Sequence, residues 1–349
     1  MDRYHRQTLL PQIGHEGQRR LADACVLLVG CGALGSVQAE QLVRAGVGTV
    51  RIVDRDIVEL TNLQRQVLFD ETDAKEQAPK AVAAARRLTK INSAVRVEPI
   101  VQDLHAGNIE QIAGLEGTGQ RADLVLDGTD NVETRYLLND VSVKHALPWV
   151  YGACVGTVGR VLAVRPPATA CLRCLFEVPP AVGELPTCDT TGVFSPVAAV
   201  VASLQTTAAL KLLAGHPEAV GDELYVLDLW NNRLHATSTA GMKRGDCPAC
   251  GLGRFEFLDR PPGGGTASLC GRNAVQVRPP GGRGNIDLPA LAVKLAAAGT
   301  VELTPYLVRC SLRESTELRL TLFADGRLIV QGTKDPIQAR SLYARYIGN

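Results

Sequence analysis

The first chemical signal in this sequence is a glycine-rich turn followed by charged and amide side chains. Val26 to Ser36 reads VLLVGCGALGS, a short apolar run leading into Gly30, Gly32 and Gly35. That spacing fits a strand, a tight turn and a helix start, where backbone N–H groups receive a phosphate. Asp54 closes a second apolar run about twenty residues later, the position from which a carboxylate takes a ribose hydroxyl. A redox dinucleotide and ATP both predict these features. The segment DRDIVELTNLQRQ then places Asn62, Gln64, Arg65 and Gln66 just beyond Asp54. Lys80 opens a later helix, and DGTDN places Asp127, Asp130 and Asn131 at the end of another strand. A dinucleotide's pyrophosphate is served by backbone N–H groups and one helix end. A triphosphate carries more charge and travels with Mg²⁺, which prefers oxygen ligands such as Asp. Each of these side chains taken singly reads as a solvated surface charge. Arg65, Lys80 and Asp130 converging on one crevice favour ATP with Mg²⁺.

The cysteines make a second signal. The chain has ten. Cys171-Leu-Arg-Cys174 and Cys247-Pro-Ala-Cys250 are two CxxC knuckles, the ligand set of a tetrahedral Cys₄ zinc site. The long gap between them means that such a site ties two distant segments together. It has no open coordination position and hence no catalytic role. The competing reading is two unrelated thiol pairs or a redox CxxC. Cys188, in PTCDT, is different: an unpaired thiol in a Pro- and Gly-rich loop. Cys25, Cys31, Cys154, Cys270 and Cys310 sit in or beside apolar runs and read as packing residues.

Alternating elements must position these groups. ACVLLV, TVRIVD, VRVEPI, ADLVLDG and LPWVYGA read as strands. SVQAEQLVRAG, PKAVAAARRLTKIN (with Pro79 at its first position) and NVETRYLLNDVSVKH read as the helices between them. The alternation predicts an α/β fold with a Rossmann-like, mostly parallel sheet covered on both faces. GRVLAVRP, ELYVLDL and RLHATST predict an antiparallel extension. Glu177 to Pro196 reads as a long loop, and the uncharged start of VAAVVASLQTTAALKLLAG predicts a helix buried on most sides. We place an adenine-nucleotide-type domain at 1–259, a linker at 260–268 and a small α+β domain at 269–349. In the last, LRLTLF-ADG-RLIVQG predicts a hairpin around Asp325-Gly326.

The bulk numbers exclude other classes. A net charge of +1 gives no electrostatic case for nucleic acid or an acidic membrane. MDRYHRQTLL lacks the apolar core of a secretory signal. Pro196 to Leu210 is too short and too interrupted to span a bilayer. These features point to a cytoplasmic protein, in which cysteines serve metal binding or thiol chemistry rather than disulfides.

The chain resembles the MoeB/ThiF/HesA family, bacterial relatives of the ubiquitin-activating enzymes. The stretches that carry the resemblance are RYHRQTLLPQIGHEGQ, VLLVGCGALGS, IVDRDIVELTNLQRQ, PKAVAAARRL, DLVLDGTDN, WVYGACVGTVG, CLRCLF, PTCDTTGVFSP, SLQTTAALKLL and CPAC, in family order. The resemblance implies ATP-dependent adenylation of the C-terminal Gly-Gly carboxylate of a ubiquitin-like sulfur carrier protein, with release of pyrophosphate. It implies Gly30, Gly32 and Gly35 as the nucleotide loop and Asp54 at the ribose. Asn62, Arg65 and Lys80 would hold phosphates and Asp130 Mg²⁺, with Gln66 and Asn131 beside them. It implies a homodimer in which Arg6 reaches the partner's ATP, structural Zn²⁺ on the four knuckle cysteines, and a thioester or acyl-persulfide on Cys188 in some members. Residues 269–349 lack the glycine-bearing cysteine loop of a rhodanese domain. Two other readings compete: a non-catalytic, zinc-stabilised adaptor for a ubiquitin-like protein, and an NAD(P)-dependent oxidoreductase built on the same glycines and Asp54.

Overall fold

The computed structural model describes residues 3–117, 119–180, 188–260, 266–269, 273–277, 286–315 and 317–348, without the side chains of 188–189 and 266–269. The chain divides into two compact units, Met1–Arg260 and Pro261–Asn349.

The first unit opens with two helices, α1 (His5–Thr8) and α2 (Gly14–Asp23). There follow β1 (Cys25–Val29), α3 (Ala33–Ala45), β2 (Thr49–Val53), α4 (Glu71–Glu76), α5 (Lys80–Ile91), β3 (Arg96–Ile100), α6 (Ile109–Ile112), β4 (Leu124–Asp127), α7 (Val132–His145) and β5 (Trp149–Val155). β6 (Val158–Val164), α8 (Leu172–Leu175), α9 (Cys188–Thr191), α10 (Ser195–Ala214), β7 (Glu223–Asp228) and β8 (Arg233–Ser238) complete it. The eight-stranded sheet has the order β3-β2-β1-β4-β5-β6-β7-β8. β3 to β5 run parallel, and β6 to β8 add antiparallel strands at one end. The strand order turns back between β1 and β4, so ligands belong at the carboxyl ends of those two strands.

All five residues of β1 are buried because helices cover both faces. Val26 and Leu28 pack into one core with Leu42 and Val43 of α3, Ala84 of α5 and Val201 of α10. Leu27 and Val29 point into a second core with Ile109 of α6 and Leu137 and Val141 of α7. The period-two alternation of a strand sends successive side chains to opposite cores. β3 departs from the expected apolar pattern: it is the sheet edge, none of its residues is fully buried, and its Glu98 pairs with buried Arg51 of β2 at 2.7 Å.

Helix α10 departs from expectation in two ways. It has 20 residues with a mean hydropathy of 1.6, so by length and composition alone it is long enough to cross a membrane. It is also not buried on most sides. Val197, Ala198, Val201, Ala202, Gln205, Thr206 and Ala209 are buried, whereas Val200, Thr207 and Lys211 are exposed. Its buried face packs on α3, β5 and β6, which identifies a core helix. Small residues, Ala and Val, let it approach the sheet closely.

The second unit is a six-stranded antiparallel sheet, order β11-β12-β13-β14-β10-β9. Its elements are β9 (Thr266–Leu269), β10 (Ala274–Val277), α11 (Leu288–Leu295), β11 (Gly299–Leu303), β12 (Leu307–Leu312), β13 (Arg319–Phe323), β14 (Leu328–Gln331) and α12 (Pro336–Tyr346). Alternate residues Val308, Cys310 and Leu312 of β12 and Leu320 and Leu322 of β13 meet Leu291, Leu295 and Leu342 in one core. The β13–β14 hairpin turns at Asp325-Gly326, where Gly326 takes φ +83°. The proposed linker 260–268 overlaps β9: Thr266 to Ser268 pair with β10 despite their small, polar composition. β11 escaped sequence reading because GTVEL follows the helical run AVKLAAAG with no turn residues other than Gly299.

Candidate active site and cysteine cluster

Three glycines shape the carboxyl ends of β1 and β4. Gly30 has φ +85°, and a Cβ there would lie 2.9 Å from the Gly128 carbonyl oxygen. A Cβ on Gly35 would lie 1.9 Å from the Gly30 carbonyl oxygen, and one on Gly128 would lie 2.5 Å from it. These three positions therefore accept only glycine, and their contact draws the β1 turn, the start of α3 and the β4 loop together. Gly32 is different. A Cβ there would meet only the Gln66 Nε2, at 3.8 Å, so the space in front of it is open. Gly32 caps α3 without any side-chain hydrogen bond, which leaves first-turn N–H groups for an anion.

Asp54 stands beside this turn. Its Oδ2 accepts the Cys31 N–H at 2.6 Å and its Oδ1 the Asp56 N–H at 2.7 Å. Burial pushes its carboxyl up, against the opposing charge of Lys80. Cys31 is fully buried, with its thiol pushed up by the same burial, and is a packing residue as expected. Residues after β2 run alongside the start of α5: Ile57 bridges Pro79, and the Asp56 carbonyl accepts the Lys80 N–H at 2.8 Å. Pro79 is the N-cap rather than the first helical residue, and Lys80 takes the first position. The Lys80 ammonium is buried and lies 3.3 Å from the Asp56 carboxylate, a partner that sequence reading did not name.

The 3₁₀ turn Leu60–Asn62 carries the amide and guanidinium groups. Asn62 Oδ1 accepts the Glu59 N–H at 3.0 Å in a reciprocal cap, so that atom is committed to the turn and only its amide NH₂ faces a ligand role. Gln66 is 4% exposed, and its Oε1 has no hydrogen-bond partner among the described residues. The Gln66 amide nitrogen is the atom that faces the open space at Gly32, where an NH₂ group can donate to a phosphate or ribose oxygen. Arg65 is half-exposed. It donates to the Thr61 carbonyl at 2.9 Å and has no carboxylate partner among the described residues. Asp130 is exposed on the loop after Gly128, and Asn131 is the N-cap of α7, its Oδ1 accepting the Thr134 N–H at 3.0 Å. Asn131 thus has a structural task that the sequence reading did not assign. Arg6 is exposed in α1, which is tied to the far end of α3: Gln7 donates to the Ala45 carbonyl at 2.9 Å.

Gly128 and Arg135 were not singled out from sequence either. Gly128 was hidden inside DGTDN, where the acids drew attention. Arg135 reads as an ordinary helix-surface arginine. It is instead buried to 13% side-chain exposure and clamps Asp127 at 3.1 Å. Burial pushes the Asp127 carboxyl up, while Arg135 and the Thr129 N–H pull it back.

On the later turns of α7 the cysteines meet. Cys171, Cys174, Cys247 and Cys250 bring their sulfurs within 4.8 Å of one another. Separations are 3.9 Å for Cys171–Cys174, 3.6 Å for Cys171–Cys247 and 3.3 Å for Cys174–Cys250. Four thiolates at about 2.3 Å from a tetrahedral zinc stand about 3.8 Å apart, so the cluster has the size for that ion. Asn139 of α7 donates its amide toward Cys171 Sγ at 3.8 Å and accepts the Leu172 N–H at 2.8 Å, fixing the first knuckle. Cys188 begins α9, and its side chain lies outside the described residues.

Comparison with known proteins agrees with this geometry. A family model described as the ThiF family matches residues 4–249. The chain is 45% identical over 347 residues to the sulfur carrier protein ThiS adenylyltransferase of Bacillus subtilis, covering 99% of each chain. It is 41% identical over 256 residues to the sulfur carrier protein adenylyltransferase of Thermus thermophilus, covering 72% of this chain and 91% of that one. Among solved structures, Escherichia coli MccB with ATP shares the fold, with a TM-score of 0.61 at 22% identity over 72% of this chain and 75% of that one. On the extent of the family match and the identity to full-length relatives, the chain belongs to the ThiF family.

Proposed function

We propose that this chain adenylates the C-terminal Gly-Gly carboxylate of a ubiquitin-like sulfur carrier protein of the ThiS type, using ATP and Mg²⁺. The observation that carries this reading is the end-to-end, 45% identity to a ThiS adenylyltransferase, in a chain whose Gly32–Gln66 crevice is open. In this assignment the first turn of α3 receives phosphate and Asp54 holds the ribose. Lys80 and Arg65 hold the phosphates, and Gln66 offers its amide N–H to the nucleotide. Asp130 is the carboxylate placed to hold Mg²⁺, which supplies charge stabilisation on the phosphate oxygens.

The carrier carboxylate is already ionised at neutral pH, so the attack needs no general base. A carboxylate oxygen bonds to the α-phosphorus, and the bond from that phosphorus to the bridging oxygen breaks. Acyl-adenylate and pyrophosphate result. Negative charge grows on the α-phosphoryl oxygens and the leaving group. Lys80, held in place by Asp56, and Arg65, which pairs with no carboxylate among the described residues, meet that charge.

Three further assignments belong to the same proposal. Structural Zn²⁺ is held by Cys171, Cys174, Cys247 and Cys250, and the Cys188 thiolate attacks the acyl-adenylate to form a thioester with the carrier as AMP leaves. The protein is a cytoplasmic homodimer. α1 sits at the carboxyl end of α3 and the nucleotide turn at its amino end, about 18 Å away for 13 residues. An Arg6 contribution to catalysis therefore goes to a partner's site. Intact mass spectrometry tests the adenylation directly. One Gly-Gly carrier incubated with enzyme, ATP and Mg²⁺ should gain the mass of one adenylyl group, AMP less one water. If every ThiS-type carrier keeps its mass while the enzyme binds ATP, the reading fails.

A further inference from the structure

The sheet parts between β4 and β5. These strands pair only at Val125–Trp149 and Leu126–Val150, whereas β1 and β2 pair over five residues. The parallel ladder would next send the Gly152 N–H to the Asp127 carbonyl. That carbonyl is already taken. Gln205 Nε2 of α10 donates to it at 2.8 Å and Gln38 Nε2 of α3 at 3.2 Å. Gln205 Nε2 also donates to the Val150 carbonyl of β5 at 3.0 Å, and Gln205 Oε1 accepts from Gln38 at 2.5 Å. The amide orientation is fixed, because two carbonyls can be served only by the NH₂ end. Both glutamines are fully buried.

From the opposite face Arg135 completes the bridge. Its Nη2 donates to the Thr129 carbonyl at 2.7 Å and the Gly152 carbonyl at 3.0 Å, and its Nε to Asp127 Oδ2 at 3.1 Å. Asp127 Oδ1 then accepts both the N–H and the hydroxyl of Thr129, at 2.9 and 2.8 Å. Gly152 is small for a reason. A Cβ there would lie 2.3 Å from the Gln205 amide. One glutamine from α10 and one arginine from α7 thus replace the missing ladder bonds and hold residues 128–130 beside the glycine turn.

We propose that Gln205 and Arg135 are positioning residues for adenylation: they hold the β4 and β5 ends apart and fix the loop that presents Asp130. The inference rests on the adenylation reading and on Asp130 as the Mg²⁺ carboxylate. Its test is ATP–pyrophosphate exchange by the full chain with a ThiS-type carrier, titrated in Mg²⁺, for wild type, Gln205→Met and Arg135→Lys. Both variants should lower kcat at least tenfold and raise the Mg²⁺ concentration for half-activation at least fivefold. The KM for the carrier should move less than twofold. A structural defect alone would lower the active fraction without moving the Mg²⁺ midpoint. Folded variants with kcat and Mg²⁺ midpoint within twofold of wild type would overturn the inference. Inactive wild type with every carrier would instead indict the adenylation reading. Should a variant unfold at the assay temperature, hydrogen exchange on the wild-type chain decides. The Thr129 amide should exchange as slowly as the amides of β1, and exchange at the rate of an exposed loop would overturn the proposal.

Discussion

Helix α7 serves two sites that are built on opposite principles. Its first turns support the nucleotide crevice, through the Asn131 cap and Arg135. Its later turns support the cysteine cluster, through Asn139 and Asp140. The crevice is shaped by what is left out: no Cβ at Gly32, no carboxylate on Arg65 among the described residues, an exposed Asp130. The cysteine cluster is shaped by what is packed in, with four sulfurs meeting where Phe257 lies against Tyr136 at 5.0 Å. Groups kept open for a ligand contribute little to folding, whereas groups closed on one another contribute much. The first site should therefore lose activity without stability, and the second stability before activity.

Removing metal should give the largest effect. Structural zinc in isolated peptides contributes about 10–16 kcal/mol, against about 5–15 kcal/mol for the whole stability of a domain. The protein should carry one zinc per chain by atomic absorption. The double variant Cys247→Ser, Cys250→Ser should lose that zinc and a large part of its melting temperature. Normal melting with no metal in the wild type would erase the contrast between the sites.

Next comes Asp130→Asn. It should reduce carrier-dependent exchange about 10²–10³-fold, or about 2.7–4 kcal/mol by analogy with removing one transition-state donor. Its melting curve should overlay that of wild type, because the side chain is exposed. A matching loss of stability would mean that Asp130 is structural.

The glycines sharpen the contrast within the crevice itself. Gly35→Ala pushes a methyl group against a carbonyl oxygen and should cost about 1–3 kcal/mol of stability by overpacking. Gly32→Ala meets no close protein atom, so it should fold normally and lose ATP binding, measured by calorimetry. Equal behaviour of the two variants would show that the open space at Gly32 is not the nucleotide's.

Asp140 tests the contrast through pH. Burial raises its carboxyl from 3.8 to about 6, while its Oδ2 accepts the Phe257 N–H at 2.8 Å. The folded chain therefore binds this proton more tightly than the unfolded chain. Its contribution to stability is fully present below about pH 4 and declines as pH rises through about 6. Asp140→Asn keeps an acceptor and removes the charge. It should be more stable than wild type by up to about 3 kcal/mol above pH 7, with the difference vanishing near pH 4 in chemical denaturation.

Much of this was readable in the sequence, and the remainder has physical reasons. Strand and turn signals are local, so β1, the glycine turn and the Asp325-Gly326 hairpin followed from neighbouring residues. The cysteine knuckles were readable because metal spacing is local within each pair. Arg135, Gln38 and Gln205 were not, because each acts on backbone carbonyls of a strand distant in sequence, and nothing nearby distinguishes a clamp from a surface polar residue. Asn131 shows that one residue can have two tasks: its Oδ1 caps α7, a local role that spacing to Asp130 did not suggest. The half-exposed α10 follows from topology: β5, β6 and α3 cover one side, and composition carries no word of which side is covered.

The most direct test of the central claim is ATP–pyrophosphate exchange with purified full-length chain, adding ThiS-type carriers that end in Gly-Gly one at a time. The account predicts exchange that requires one carrier, requires Mg²⁺, and falls at least a hundredfold in Asp130→Asn. A folded, zinc-containing, ATP-binding protein that exchanges no pyrophosphate with any carrier would contradict it and leave a binding adaptor in its place.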